Sequence, residues 1–283
     1  RHVVPSLVVH TRSEVWTRGA WVAPFGGSLN RAWRIFATGL AFTVFGLGGI
    51  CVGLLVFPLV VLLTRDRTRV HHRMQFVIHC VMRLFVELMR TLRLMTYSIE
   101  GAEKLREPGQ IIIATQPTLI DVVMVLSQVA RTSCVVKGSL FRNPFTGGPV
   151  RAAGYVPNVE SARLVDRCAE VLDDGQTLII FPEGTRTRPG EPVRLQRGTA
   201  YIALRARKSL RPIMIHCPPS TLTNGLPWYS VPARRFHISL RVGGPIDIEP
   251  FLDADSSRAM SARKLTGHLE AFLEHHRHAH RLD

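Results

Sequence analysis

The 283-residue chain has no Cys-x-x-Cys pair and no Asn-x-Ser/Thr sequon. Its five cysteines, at 51, 80, 134, 168 and 217, are scattered, two of them in the most apolar part of the chain, which argues against a disulfide framework or a zinc site. Both absences fit a chain facing the reducing cytosol. Acidic residues are scarce as well: 21 Asp and Glu face 36 Lys and Arg, a formal charge of +15. Such a surface attracts phosphate-rich partners, whether anionic lipid headgroups, phosphorylated substrates or nucleic acid. No internal repeat, low-complexity tract or Pro/Gly-rich linker divides the chain.

Charge is missing altogether from Ile35 to Thr64. As one helix this run would reach roughly 45 Å, against a hydrocarbon core of about 30 Å, so membrane insertion is expected rather than burial in a core. It begins too late and runs too long for a secretory signal, and no small-residue cleavage pattern follows, so it is read as retained. Gly46, Gly48, Gly49, Gly53 and Pro58 make it bendable.

A second apolar segment, Met74 to Met89, carries a narrow polar stripe at Gln75, His79, Arg83 and Glu87, four residues apart and so on one helical face. The stripe suits a helix lying at a membrane interface, and equally one packed on a globular domain. Arg31 and Arg34 precede the first segment and Arg65, Arg67, Arg69 and Arg73 follow it, so flanking charge sets no orientation; a re-entrant pair held in one leaflet removes the conflict. Residues 1–30 show no clear periodicity, residues 31–97 form the membrane-associated helices, and a globular domain occupies residues 98–283.

In that third part short β-rich runs (Ile111–Thr115, Cys134–Lys137, Thr177–Phe181, Arg211–Cys217, His237–Val242) alternate with helical stretches (Asp121–Ala130, Ser161–Leu172, Gly198–Arg207, Ser261–His275). The expected fold is α/β: a mixed, mostly parallel sheet flanked by helices, with an N-terminal membrane-associated helical pair. Two strand-to-helix connections carry unusual chemistry. Ala114-Thr-Gln-Pro-Thr-Leu-Ile-Asp121 lies where free backbone N–H groups converge. Phe181-Pro-Glu-Gly-Thr-Arg186 combines a carboxylate, a glycine permitting close backbone approach, and an arginine suited to phosphate.

Together these two segments resemble the glycerolipid acyltransferase family typified by 1-acylglycerol-3-phosphate acyltransferase. Its first motif is His, four residues, then Asp, and its second is Phe-Pro-Glu-Gly-Thr-Arg. The second stands intact at Phe181, Pro182, Glu183, Gly184, Thr185 and Arg186; the first has Asp121 in place but Gln116 where His is usual. Lys137 with Asn143-Pro-Phe-Thr-Gly-Gly148, and Pro212-Ile-Met-Ile-His-Cys-Pro218, resemble two weaker family segments, so the likeness covers roughly residues 70–245. Gly154-Tyr-Val-Pro-Asn158 ends in Asn158 where the family usually has an acceptor-phosphate arginine.

The resemblance implies an O-acyltransferase that needs no cofactor or metal beyond its acyl donor, an acyl-acyl-carrier-protein or acyl-coenzyme A. The acceptor would be a hydroxyl of a lysophospholipid or related amphiphile in a membrane, with the domain facing the cytoplasm, at the cytoplasmic membrane if the source is bacterial. Gln116 and Asp121 take the catalytic positions. Lys137, Asn158 and residues 181–186 take substrate contacts. A histidine there would remove the hydroxyl proton, and Asp121 would orient the ring.

The Gln116 amide has no accessible protonated state at neutral pH, so binding with little turnover is expected. An introduced substitution, a natural homologue without turnover, and a base relocated to His216 or His237 all stand open; retention of the other site features favours the first. His276 and His280 have metal-ligand spacing but suit a solvated helix end. The Arg-rich stretches at 186–197 and 205–211 lack interleaved aromatics, so no nucleic-acid partner is expected.

Overall fold

The computed structural model describes residues 24–159, 162–184, 192–219, 221–223, 227, 229–232, 234–252 and 257–279. A long N-terminal helix runs through α1 (Pro24–Cys51), a π-helical turn (Val52–Val56) and α2 (Phe57–Leu62), and a turn leads to α3 (Arg67–Thr91). Pro58 has no N–H to donate four residues back, and the helix widens immediately before it, with the Phe57 N–H bonded to the Val52 carbonyl. Asp66 starts α3 by accepting from the backbone N–H groups of Thr68 and Arg69 at 3.3 and 3.2 Å. Among the described residues one helix, Leu29–Leu62, is long and apolar enough to cross a membrane.

The strands are β1 (Met95–Glu100), β2 (Ile111–Ala114), β3 (Thr132–Lys137), β4 (Val156–Asn158), β5 (Thr177–Ile180), β6 (Leu210–His216) and β7 (Phe236–Val242). They form one sheet in the order β1-β7-β6-β2-β5-β3-β4, every pair parallel except β6 with β7. The mostly parallel sheet expected from the sequence is the one observed. Between the strands lie α4 (Asp121–Leu126), α5 (Gly138–Arg142), α6 (Gly147–Ala152), α7 (Ala162–Asp173) and α8 (Gly198–Ala206), and α9 (Arg258–Ala279) follows β7.

Central β2 is buried on both faces, as parallel strands are, and its side chains divide by the two-residue period. Ile111 and Ile113 point into a core shared with Leu172 of α7, Ile202 of α8 and Leu269 of α9. Ile112 and Ala114 point into a second core shared with Met74 and Phe85 of α3, Met124 of α4 and, from α1, Ala37 and Ala41. The N-terminal helices therefore form one layer of the domain. Three of the four residues of the α3 polar stripe find partners in the domain, while Arg83 is exposed: Gln75 Nε2 donates to the Ala153 carbonyl at 2.9 Å, His79 Nδ1 to the Leu126 carbonyl at 3.0 Å, and Glu87 accepts from Tyr97 Oη at 2.9 Å. On the outside stand apolar side chains, Leu84 at 72% exposed and Leu62 of α2 at 80%.

Glycines allow the long helix to seat closely. A Cβ on Gly53 would lie 2.3 Å from the Phe145 carbonyl oxygen, and one on Gly148 would lie 2.7 Å from the Phe57 ring. Phe45 packs on Phe85 with ring centroids 4.6 Å apart. Cys51 and Cys80 are exposed, while Cys134, Cys168 and Cys217 are buried. Replacing Gly53 by Ala is expected to lower stability by about 1–3 kcal/mol through overpacking. Thermal unfolding of the detergent-solubilised chain measures this, and an unchanged midpoint would show that the helix is not seated on Phe145.

Candidate active site

The carboxyl ends of β2, β3, β4 and β5 all open on one edge of the sheet, the edge where open α/β folds bind ligands. The chain leaves β2 through Thr115, whose N–H bonds to the Ile213 carbonyl at 3.2 Å and whose hydroxyl accepts from the Ile215 N–H at 3.0 Å. These bonds tie the start of the first connection to β6. Gln116 follows immediately, and its backbone N–H donates to Glu183 Oε1 at 3.0 Å. One hydrogen bond thus joins the two segments that carry the family resemblance.

Asp121 is fully buried at the first residue of α4, where the helix dipole favours a carboxylate. It accepts from the Thr118 hydroxyl at 2.6 Å and from the Thr118 backbone N–H. Thr118 was not singled out from the sequence. The signal was available, because Thr-x-x-Asp is the spacing of a capping box. Burial raises the Cys217 thiol to about 12, with the Asp121 charge pushing the same way, so this neighbour is no thiolate nucleophile.

Beyond β5, Phe181, Pro182, Glu183 and Gly184 make a tight turn in which the Gly184 N–H bonds to the Phe181 carbonyl at 3.2 Å. Gly184 has φ +69°, a conformation that favours glycine, and a Cβ there would also displace the Gln196 side-chain amide, whose Nε2 would lie 2.3 Å away. The returning chain is held from below: Gln196 N–H bonds to the Pro182 carbonyl at 2.8 Å, Leu195 N–H to Glu270 at 2.8 Å and Val193 N–H to Glu274 at 3.0 Å. Helix α9 therefore braces the second segment. Thr185 and Arg186 lie outside the described residues, as does His280.

Gln116, Lys137, Asn158, Phe181 and Gly184 all line one cavity of about 550 Å³, the size of a small-molecule site. Lys137 and Asn158 are register partners at the ends of β3 and β4, which explains how residues 21 apart in sequence reach the same wall. The remaining lining is chiefly apolar and includes Phe45, Gly49 and Val52 from the N-terminal helix and Ile78 and Met82 from α3. Sequence reasoning had assigned the first of those helices to the membrane and left the second open between a membrane interface and the domain surface. His237 sits at the sheet edge with its ring nitrogens 2.9 Å from the Thr96 hydroxyl and 3.0 Å from the Ser98 hydroxyl. Among the described residues no group of three or more His, Cys, Asp or Glu is placed to hold a metal ion.

A family model described as Acyltransferase matches residues 96–216. The chain is 26% identical over 125 residues to the chloroplastic 1-acyl-sn-glycerol-3-phosphate acyltransferase of Arabidopsis thaliana, covering 42% of this chain and 35% of that protein. It is also 26% identical over 147 residues to the 1-acyl-sn-glycerol-3-phosphate acyltransferase of Pseudomonas aeruginosa, covering 50% and 57%. The match thus spans about a third and just over half the length of these curated relatives. In fold it is similar to the crystal structure of the 1-acyl-sn-glycerophosphate acyltransferase PlsC from Thermotoga maritima, at TM-score 0.60, 19% identity, and 86% and 98% coverage of the two chains. Residues 96–216 are thus similar to the Acyltransferase family, and the curated relatives that the chain resembles are 1-acyl-sn-glycerol-3-phosphate acyltransferases.

Burial raises the Glu183 carboxyl above its ordinary value of 4.5, while the Gln116 N–H and the Arg277 charge pull it back. A carboxyl whose folded value is raised supports the fold while protonated. That stability is complete below the unfolded value and is lost as pH rises through the folded value. As pH rises from the ordinary carboxylate range through the folded value, the native chain is therefore expected to lose stability relative to Glu183→Gln. Denaturant unfolding across this range measures the difference, and parallel profiles would contradict the desolvated carboxyl.

Proposed function

We propose that this chain is a membrane-seated O-acyltransferase of the lysophospholipid type, weakened at the chemical step by Gln116. The observation that carries the reading is the Gln116 N–H bond to Glu183 at the wall of a large apolar cavity. The bond uses the backbone, so the site assembles whichever side chain occupies position 116. In the reaction the acceptor hydroxyl oxygen attacks the thioester carbonyl of the donor, an acyl-acyl-carrier-protein or acyl-coenzyme A. An ester forms, the carbon–sulfur bond breaks, and the hydroxyl proton leaves with the thiol.

Position 116 is the general-base position of this reading, Asp121 is the residue that would orient a histidine there, and the cavity takes the acyl chain. Lys137, Asn158 and residues 181–186 contact the polar parts of the substrates, and Asn158 is weaker than an arginine for an acceptor phosphate. The apolar outer faces of the long helix and α3 sit in one leaflet, because α1 is bound along the domain and the charged turn at Arg65–Arg69 returns to the headgroups. The domain then lies on the cytoplasmic side. The second reading, a lipid-binding homologue without turnover, is favoured by Gln116 itself.

Introducing a histidine separates the two. Gln116→His is expected to raise acyl transfer in membranes by about 10²- to 10⁴-fold, the usual worth of a general base. No gain with any lysophospholipid and either class of thioester would remove the catalytic reading.

A further inference from the structure

A second cavity, of about 450 Å³, lies apart from Gln116, where the turn between α2 and α3 meets α6. Its lining is amphiphilic. Phe57 and Val61 come from α2, Arg65 and Arg67 from the turn and the start of α3, and Arg151 from α6. Arg73 stands beside it, its Nη1 donating to the Thr64 hydroxyl at 2.6 Å, while Arg151 Nη1 donates to the Phe141 carbonyl at 2.6 Å. Each guanidinium has five N–H donors, so a single bond orients it and leaves others to offer.

Counter-charge is missing. The cavity has no acidic lining residue, and the neighbouring Asp66 is turned to cap α3 and to meet Arg69 at 3.6 Å. Among the described residues Arg65, Arg67, Arg73 and Arg151 form no ion pair. His71, also in the lining, is lowered by burial and then by Arg67, which leaves it neutral and acceptable beside the arginines. Fixed positive charge next to an exposed apolar helix matches one ligand chemistry: a phosphodiester attached to hydrocarbon.

We propose that this groove binds an anionic phospholipid of the surrounding leaflet, its phosphate on Arg65, Arg67 and Arg151 and its acyl chain along Phe57 and Val61. The lipid is a ligand here and not the substrate, since the groove shares no lining residue with the cavity at Gln116. Helix α6 stands between the two, with Pro149 and Val150 lining one and Arg151 and Ala152 the other. Occupancy of the groove therefore bears on a wall of the acyl cavity. The inference rests on the membrane seating proposed above.

The test uses the full chain in non-ionic detergent, titrated with dihexanoyl phosphatidylglycerol, dihexanoyl phosphatidylcholine or inorganic phosphate, with dissociation constants read from intrinsic fluorescence. Phosphatidylglycerol is expected to bind most tightly. Arg65→Gln with Arg67→Gln should weaken it by about five-fold per arginine, roughly 25-fold in all, and Lys at both positions should restore most of it. Equal binding of phosphatidylcholine, an unaltered constant in a double variant with native circular dichroism, or inorganic phosphate binding as tightly as phosphatidylglycerol would each overturn the proposal. Sedimentation with phosphatidylcholine vesicles, with and without phosphatidylglycerol, reads the seating separately. Loss of sedimentation with both, while the short-chain lipid still binds, removes the seating and keeps the groove.

Discussion

Helix α3 has to satisfy two environments, and the rest of the molecule is arranged around that constraint. Its inner side covers the sheet with Met74, Ile78, Phe85 and Met89, and fits the polar groups Gln75, His79 and Glu87 to partners in the domain. Its outer side presents Phe76 and Leu84, which water does not favour. Neither side can be given up. Without the inner contacts one face of the sheet is bare, and without an apolar medium the outer face invites association.

The long N-terminal helix shares this double duty, and so the walls of the cavity at Gln116 and the exposed apolar faces belong to one packed body. Phe45, Gly49 and Val52 complete a cavity whose polar residues come from the sheet edge. Close seating of that helix depends on Gly53 and Gly148, where side chains would collide with backbone or ring atoms. For the function proposed above, such an arrangement spares the apolar chain of a lipid substrate a passage through water.

Much of this was legible in the sequence because the central strands are continuous apolar runs and the second motif is intact. Ile111–Ala114, Thr177–Ile180 and Leu210–His216 fall where they were expected. Two strands were missed for different reasons. Val156–Asn158 has only three residues, too few for a periodic signal, and Met95–Glu100 alternates polar and apolar residues directly after a long helix. Helix α4 ends at Leu126 rather than Ala130, its next residue Ser127 bonding back to the Met124 carbonyl at 2.7 Å. The polar stripe on α3 has one period whether it faces headgroups or a folded domain, and only the partners of Gln75 and His79 tell these apart. The meeting of Gln116 with Glu183 spans 67 positions and runs through a backbone N–H, which no side-chain motif encodes.

The distribution of thiols has a practical consequence. Cys134 and Cys168, like Cys217, are raised to about 12 by burial and will not react with alkylating reagents while the fold is intact. Cys51 on α1 and Cys80 on α3 are exposed on the apolar exterior. The chain thus offers two labelling positions on two different helices of the same layer. A spin label or an environment-sensitive fluorophore attached at each would measure immersion depth at two points and so give the inclination of the line joining the two helices, without a single engineered cysteine.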